Sequence, residues 1–356
     1  MKLSELYWHR YTPLHILLWP LSILFGIFLQ LRKLCFWLDI FQSVKLPVPV
    51  IVVDSITTED GGKTPLILWL VDFLQARGLR PGIVTRGYSD NPGTPMVVTD
   101  TSDPTVIGGK IMLLAKRCGN NCPVWVGDDR AAVAQALLYA NPTCNLIICN
   151  DGLQCPRLER NIEIVVADFS EHSLGNGLML PAGPLRESLD RLENVDAVVT
   201  NGKQTEHIDS SDWAPTYNMQ LVSETIYSLS DPSNCQLASD LKDKRLYAVA
   251  DFNNSQEFFD YIQMAGLNAE LHSFAEDHRF VQKDFNFPDA EAILMPEENA
   301  IQCSEFSDNK LWALPVEALV NNELKALVLR KLRRQMTDED ASNDVIYAQP
   351  RKKIVD

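Results

Sequence analysis

The chain is poor in basic charge. Its 356 residues hold 32 Lys and Arg against 47 Asp and Glu, a formal net charge of -15. Broad binding to nucleic acid needs the opposite sign, because affinity comes from basic groups that release phosphate counterions. Cysteine is also scarce. The eight residues at positions 35, 118, 122, 144, 149, 155, 235 and 303 are too few for a disulfide scaffold in so long a chain, and they fit a reducing compartment. Cys118 and Cys122 supply half a zinc-site spacing, but no second Cys/His pair follows it, so no structural metal is expected. With 17 Gly, 20 Pro and no visible internal repeat, collagenous and low-complexity architectures are excluded. What remains is a globular composition, 46% hydrophobic, at a length that suits about two domains.

The amino-terminal region breaks this pattern. Residues 14–31 contain no charged side chain, near the lower limit for a spanning helix, although Pro20, Gly26, His15 and Gln30 interrupt them. No small-residue cleavage site follows, which argues against a removed signal peptide. Over residues 1–45, Lys2, Arg10, Arg32, Lys33 and Lys45 outnumber Glu5 and Asp39, so the local charge is positive inside an acidic chain. Aromatic residues are interspersed: Tyr7, Trp8, Trp19, Phe36 and Trp37. This combination suits a helix or helical hairpin in the interface of an anionic membrane, and the competing reading is a hydrophobic helix docked on the protein's own core.

Beyond it, apolar β-branched runs alternate with helical patterns. Strands are expected at 48–53, 81–85, 123–126, 146–149, 162–167 and 197–199, with helices at 65–75 and 131–139. This rhythm predicts a largely parallel sheet covered on both faces. Residues 206–240 are polar and weakly periodic and read as a hinge or linker. A second, smaller α/β unit is expected over 241–336, with strands at 246–250, 270–274, 292–295 and 311–314 and helices at 256–265 and 317–336. The polar tail 337–356 reads as disordered. The domain scheme is thus a membrane-associated helical segment at 1–45, an α/β domain at 46–205, the linker, the second α/β domain and the tail.

The first strand runs into Asp54-Ser55-Ile56-Thr57-Thr58-Glu59-Asp60-Gly61-Gly62-Lys63-Thr64-Pro65, which opens a helix. Gly-Lys-Thr at a strand-to-helix junction aims backbone N–H groups and an ammonium at phosphate, and the Thr hydroxyl is a Mg2+ ligand. The match is partial. Thr57 stands where the first glycine of the motif falls, and Glu59 and Asp60 bring two carboxylates into the loop. Thr57, Thr58, Gly61, Gly62, Lys63 and Thr64 are the nucleotide-binding candidates, the competing reading being an ordinary surface loop. Arg86 and Arg186 are candidate phosphate ligands or partners of nearby acids such as Glu187. Asp151 after an apolar strand is a candidate metal-facing carboxylate or a turn former before Gly152.

In order along the chain, several stretches resemble the tetraacyldisaccharide 4'-kinase family (lipid A disaccharide 4'-kinases) across residues 5–320. They include 46–53 before the loop, Gly62-Lys63-Thr64-Pro65, Arg86-Gly87-Tyr88, Asp129-Arg130 and Asp151-Gly152-Leu153-Gln154. Gly175-Asn176-Gly177, residues 180–187, residues 195–199, Asn201-Gly202 and residues 312–318 complete the series. The resemblance implies two α/β/α domains, a P-loop NTPase-like parallel sheet plus a smaller α/β domain, with an apolar membrane helix. It implies a kinase using ATP and Mg2+ to phosphorylate the 4'-hydroxyl of an acylated glucosamine disaccharide 1-phosphate in lipid A synthesis, at the cytoplasmic face of the inner membrane. The lipid surface and this disaccharide are the implied partners, with no nucleic acid. Asp151 and His278 become candidate catalytic residues, Thr64 and Asp151 candidate Mg2+ ligands, and Arg86, Arg186 and Glu187 candidate substrate contacts.

The chain also departs from the family pattern. Gly108-Gly109-Lys110-Ile111 corresponds to a Gly-Asp-Glu-Pro segment, and Asn150-Asp151 to paired aspartates. Cys155 stands at a histidine position, and Glu276-Asp277-His278 corresponds to Asp-His-His. Asp251 and Asn253 replace two glycines, and Glu297-Glu298-Asn299 stands for Glu-Lys-Asp. Two further readings follow from these departures. One is a catalytically silent paralogue that binds lipid, nucleotide or a partner. The other is an enzyme in which Asp128, Asp129 or Asp151 serves as base or metal ligand.

Overall fold

The computed structural model describes Trp8 and residues 13–58, 61–87, 93–169, 174–201, 211–275, 278–306 and 308–339. Glu59, Asp60, Tyr88, Glu276, Asp277 and the segment 340–356, on which several sequence expectations fall, lie outside the described residues.

Two sheets organise the chain. The first has nine strands and is built on the hydrophobic runs expected from the sequence: β1 (Val50–Ser55), β2 (Pro81–Thr85), β3 (Met96–Val97), β4 (Val124–Val126), β5 (Leu146–Asn150), β6 (Ile162–Asp168), β7 (Ala197–Asn201), β8 (Thr216–Val222) and β15 (Glu317–Val320). Their spatial order is β15-β8-β7-β6-β1-β5-β2-β4-β3, parallel except at the two edge pairs. β1 is buried at all six positions, which is why it reads as a continuous apolar run and not an alternating one. Helices α2 (Lys63–Gln75), α3 (Gly109–Cys118) and α7 (Asn322–Glu339) supply residues to the core on one face, including Leu66, Leu114 and Leu327. Helix α4 (Arg130–Ala140) covers the other, through Val133, Ala134 and Leu137.

The second sheet has six strands. Four are parallel, β11 (Leu246–Asp251), β12 (Ala269–Phe274), β13 (Ala292–Pro296) and β14 (Leu311–Leu314), and two are antiparallel additions, β9 (Thr225–Ser228) and β10 (Cys235–Leu237). Helices α5 (Phe252–Met264) and α6 (Glu297–Gln302) accompany it.

Three sequence expectations are corrected. Residues 216–237 hold three strands, where a hinge was expected: β8 alternates exposed and buried positions along the sheet, so its polar half hides a strand. The expected helix at 317–336 is a strand followed by a helix. Glu317–Val320 pairs antiparallel with β8, and Asn321 Oδ1 accepts the Leu324 N–H at the start of α7. That helix then continues to Glu339, into the expected tail. Helix α3, which sequence reasoning did not identify, packs beside α6.

Among the described residues the amino-terminal segment holds one long helix, α1 (Pro13–Trp37). Its window 16–37 has a mean hydropathy of 1.5 and is only 11% buried, whereas a helix docked on the protein's own core is mostly covered. Leu17, Leu24, Phe28 and Trp37 are among its exposed side chains. Fully burying one such side chain is worth about 1.5–3 kcal/mol, so this face has a strong preference for an apolar medium. By length and composition the helix is able to cross a membrane.

Candidate phosphate-transfer site

The site lies outside the carboxyl ends of β1 and β5, adjacent parallel strands, where ligands of open α/β sheets bind. After β1 the chain turns into α2 through Gly61 and Gly62, whose φ values of 61° and 92° are left-handed. Glycine adopts this conformation without the Cβ clash that other residues meet. A Cβ on Gly62 would also come within 3.0 Å of Leu221 Cδ1 and Met219 Cε. The turn leaves the first-turn N–H groups of α2 facing the site, with the positive end of the helix dipole behind them.

Four charged side chains meet there. The Lys63 ammonium is 2.5 Å from Asp151 Oδ1 and 3.8 Å from Asp54 Oδ1. The Arg186 guanidinium is 3.6 Å from Asp151 Oδ1 and 4.0 Å from Asp54 Oδ1. Two cations thus balance two carboxylates of unequal burial: the Asp54 side chain is 5% exposed and that of Asp151 30%. Asp54 is the deep, fixed member. Its Oδ1 accepts the Ser55 N–H at 2.7 Å and its Oδ2 the Leu153 N–H at 2.8 Å, joining the end of β1 to the loop after β5. Burial pushes its carboxyl up to about 6, against the pull of Lys63, and the charge of Asp151 adds to the rise.

Asp151 is held in a left-handed turn, φ 54°, a conformation Asp tolerates better than most residues. Its N–H donates to Val53 O at 3.1 Å, and Arg130 Nη2 donates to its carbonyl at 3.0 Å. The adjoining Asn150 donates through Nδ2 to Thr85 Oγ1 at 3.1 Å. Arg186 arrives from the loop 174–187, which is tied to the phosphate loop. Its own N–H donates to Ile56 O at 2.7 Å, Thr58 N–H donates to Pro184 O at 3.1 Å, and Thr57 bridges to Leu185.

The sequence candidates divide accordingly. Lys63, Asp151 and Arg186 are brought together, with Gly61, Gly62 and Thr64 at the same turn, while Thr57 and Thr58 engage the neighbouring loop through their backbones. Arg86 is exposed after β2 and has no ion pair among the described residues. Glu187 is buried and paired with Lys33 of α1 at 2.6 Å. His278 is not brought to the cluster by any contact among the described residues. Its Nε2 meets Asp284 Oδ2 at 2.8 Å, and its ring lies against Phe274 and Phe280. Asp129 caps α4 by accepting the Ala131 N–H and pairs with Arg157, so its carboxylate is engaged structurally. Asp54 and Lys33 were missed. Asp54 did leave a signal, a carboxylate ending an otherwise apolar buried strand, whereas nothing in the sequence marks Lys33.

A cleft adjoins the phosphate loop, between the two sheets. Gly62 lines it just ahead of α2, Thr64 and Leu68 from α2, Lys110 from α3, Tyr261 from α5 and Glu298 from α6. Among the described residues no group of three or more His, Cys, Asp or Glu is placed to hold a metal ion by itself. Magnesium needs no such cage, since it binds one or two protein oxygens together with substrate phosphates. Thr64 and Asp151 are oxygen donors of the right kind on either side of the loop.

A parallel α/β sheet with a glycine-turned phosphate loop, a lysine and a facing aspartate defines a protein of the phosphate-loop class. Comparison with known proteins narrows this. The tetraacyldisaccharide-1-P 4'-kinase family (LpxK) matches residues 14–333. A protein named tetraacyldisaccharide 4'-kinase from Nitrosomonas eutropha is 45% identical over 338 residues, covering 95% of this chain and 85% of that protein. Another of that name, from Methylobacillus flagellatus, is 40% identical over 335 residues, covering 94% and 97%. The crystal structure of "apo" form LpxK from Aquifex aeolicus in complex with ATP superposes with a TM-score of 0.76 at 24% identity, covering 90% of this chain and 99% of that one. The chain belongs to the tetraacyldisaccharide-1-P 4'-kinase family.

Proposed function

We propose that this protein transfers the γ-phosphate of ATP to the 4'-hydroxyl of a tetraacylated glucosamine disaccharide 1-phosphate, at the cytoplasmic face of the inner membrane. The observation that carries the reading is the balanced quartet of Lys63, Arg186, Asp54 and Asp151 at the mouth of α2. Family membership points to the same substrates.

Phosphoryl transfer passes through a loose transition state, so positioning and charge matter more than covalent participation. When the triphosphate enters, Lys63 exchanges carboxylate oxygens for phosphate oxygens, the first-turn N–H groups of α2 complete the cradle, and Arg186 contacts the phosphorylated lipid acceptor. The nucleoside takes the cleft beside Gly62 and Tyr261. Thr64 and Asp151 would hold Mg2+, which offsets negative charge on the phosphates when it is bound. The 4'-oxygen forms a bond to the γ-phosphorus as the bond to the β-phosphate oxygen breaks, ADP leaves, and the hydroxyl proton passes late to Asp151, the more exposed of the two carboxylates. Helix α1 places this chemistry at the surface from which the acyl chains of the acceptor never depart.

The test is purified protein in detergent with ATP, Mg2+ and tetraacyldisaccharide 1-phosphate. The expected result is a 4'-phosphorylated product that Lys63→Ala abolishes. A wild-type protein that makes no product, yet is stabilised by ATP in a thermal shift, would refute transfer and leave a silent nucleotide binder.

A further inference from the structure

Loop 174–187, which delivers Arg186, is held from its other side by α1 and by Trp8 ahead of it. Ser22 Oγ donates to Met179 O at 2.8 Å and accepts the Ala182 N–H at 3.0 Å. Trp8 Nε1 donates to Pro181 O at 3.3 Å. Lys33 Nζ reaches Glu187 Oε2 at 2.6 Å, the only ion pair of that carboxylate among the described residues. The Glu187 side chain is 4% exposed, and its Oε1 has no partner among the described residues. A carboxylate buried this deeply needs a cation beside it. The cation comes from α1, whose exposed face is apolar and suited to a lipid surface.

We propose that Lys33 is a positioning residue that ties the membrane-seated helix to the phosphate site by holding Glu187, and through it Arg186, in register; this rests on the functional reading above. The polar path is unbroken. It runs from Lys33 to Glu187, then along the backbone to Arg186, whose N–H donates to Ile56 O at 2.7 Å and whose carbonyl accepts from Gln154 Nε2 at 3.0 Å. Lys33 touches no site group other than Glu187 among the described residues, so its effect on turnover is indirect.

The experiment compares full-length wild type, Lys33→Met, Lys33→Arg, Glu187→Gln and the Lys33→Met/Glu187→Gln double variant in phospholipid–detergent micelles. Hydrogen exchange is read at the amides of residues 178–187, and KM is measured separately for ATP and for the lipid acceptor. Losing a charged hydrogen bond is expected to speed exchange in the loop about tenfold or more, with β1 and β5 unchanged. The acceptor KM should rise about tenfold while the ATP KM stays within about twofold, and Lys33→Arg should restore both. The double variant should be no worse than Glu187→Gln alone, the mark of two groups acting as one unit. Unchanged exchange in Lys33→Met overturns the proposal, as does faster exchange with an unchanged acceptor KM. If Lys33→Met does not fold, Lys33→Gln takes its place under the same criteria. A wild type that forms no product strikes the functional reading instead, and the exchange comparison then decides the tie.

Discussion

Asp54 gives the sharpest quantitative test because it is buried, acidic and absent from the direct chemistry. Burial pushes its carboxyl up to about 6, against an ordinary 3.8. A raised folded-state value means that the native state binds the proton more tightly than the unfolded chain. The stability contribution is therefore fully present below about 4 and is lost as pH rises through 6. About two pKa units at about 1.4 kcal/mol each amount to about 3 kcal/mol over the whole range, of which about 1 kcal/mol falls between pH 5 and 7. Asp54→Asn removes the titration while keeping one oxygen to accept the Leu153 N–H. The assay is urea unfolding of both proteins in detergent at half-unit steps from pH 4.5 to 7.5, with EDTA and without nucleotide. The stability difference, wild type minus variant, should fall by about 1 kcal/mol from pH 5 to 7 and flatten above it. Parallel profiles would refute the argument, because all other titrating groups are common to the two proteins.

Three further variants test the same geometry. Gly62→Ala places a Cβ at a left-handed φ of 92° and 3.0 Å from Leu221 and Met219; it should cost about 1–2 kcal/mol in thermal unfolding and raise the ATP KM, and an unchanged KM would show that the turn does not face phosphate. His278→Ala should leave kcat within about threefold, because His278 makes no contact with the Lys63–Asp151 cluster among the described residues, whereas an acid–base residue contributes about 10²–10⁴-fold. The same variant should be less stable than wild type near neutral pH, with the difference in urea unfolding shrinking as pH falls through the carboxylate range. Burial acts to raise the Asp284 carboxyl, but hydrogen bonds from His278 and the Val281 N–H outweigh it and hold the group below its usual range, a contribution present above that range and lost as pH falls. Replacing Leu17, Leu24 and Phe28 together by Ser should lower binding to anionic vesicles at least about a hundredfold with little change in thermal stability, because all three are exposed; undiminished binding would remove α1 as the membrane contact.

Much of this arrangement is legible in the sequence. The parallel core strands are uninterrupted β-branched runs, and the strand-to-helix junction at Gly62-Lys63-Thr64 announces its own geometry, because only glycine turns there without strain. Edge strands were harder. In β8 the exposed positions Thr216, Asn218 and Gln220 alternate with buried Tyr217, Met219 and Leu221, so the average hydropathy of the stretch resembles a linker although its period is that of a strand. Glu317–Val320 suffered the opposite error: Leu319 fits a helical stripe continuing into α7, and only the pairing with β8 reveals the strand.

The site shows where local reading ends. Lys63 and Thr64 are recognised by neighbours in sequence, but the function of Asp54 is defined by Leu153 and Arg186, residues about a hundred positions or more away that the sheet folds onto the end of β1. A sequence pattern registers only that a charge has been placed where burial penalises it. That anomaly is itself informative, since a buried carboxylate persists only where hydrogen bonds and cations offset its desolvation. The same logic applied to Glu187 leads out of the site altogether, to Lys33 on a helix that reads as a simple apolar anchor. Carboxylates at the ends of buried strands, and in loops that a membrane helix touches, are therefore the positions where a tertiary partner is to be sought first.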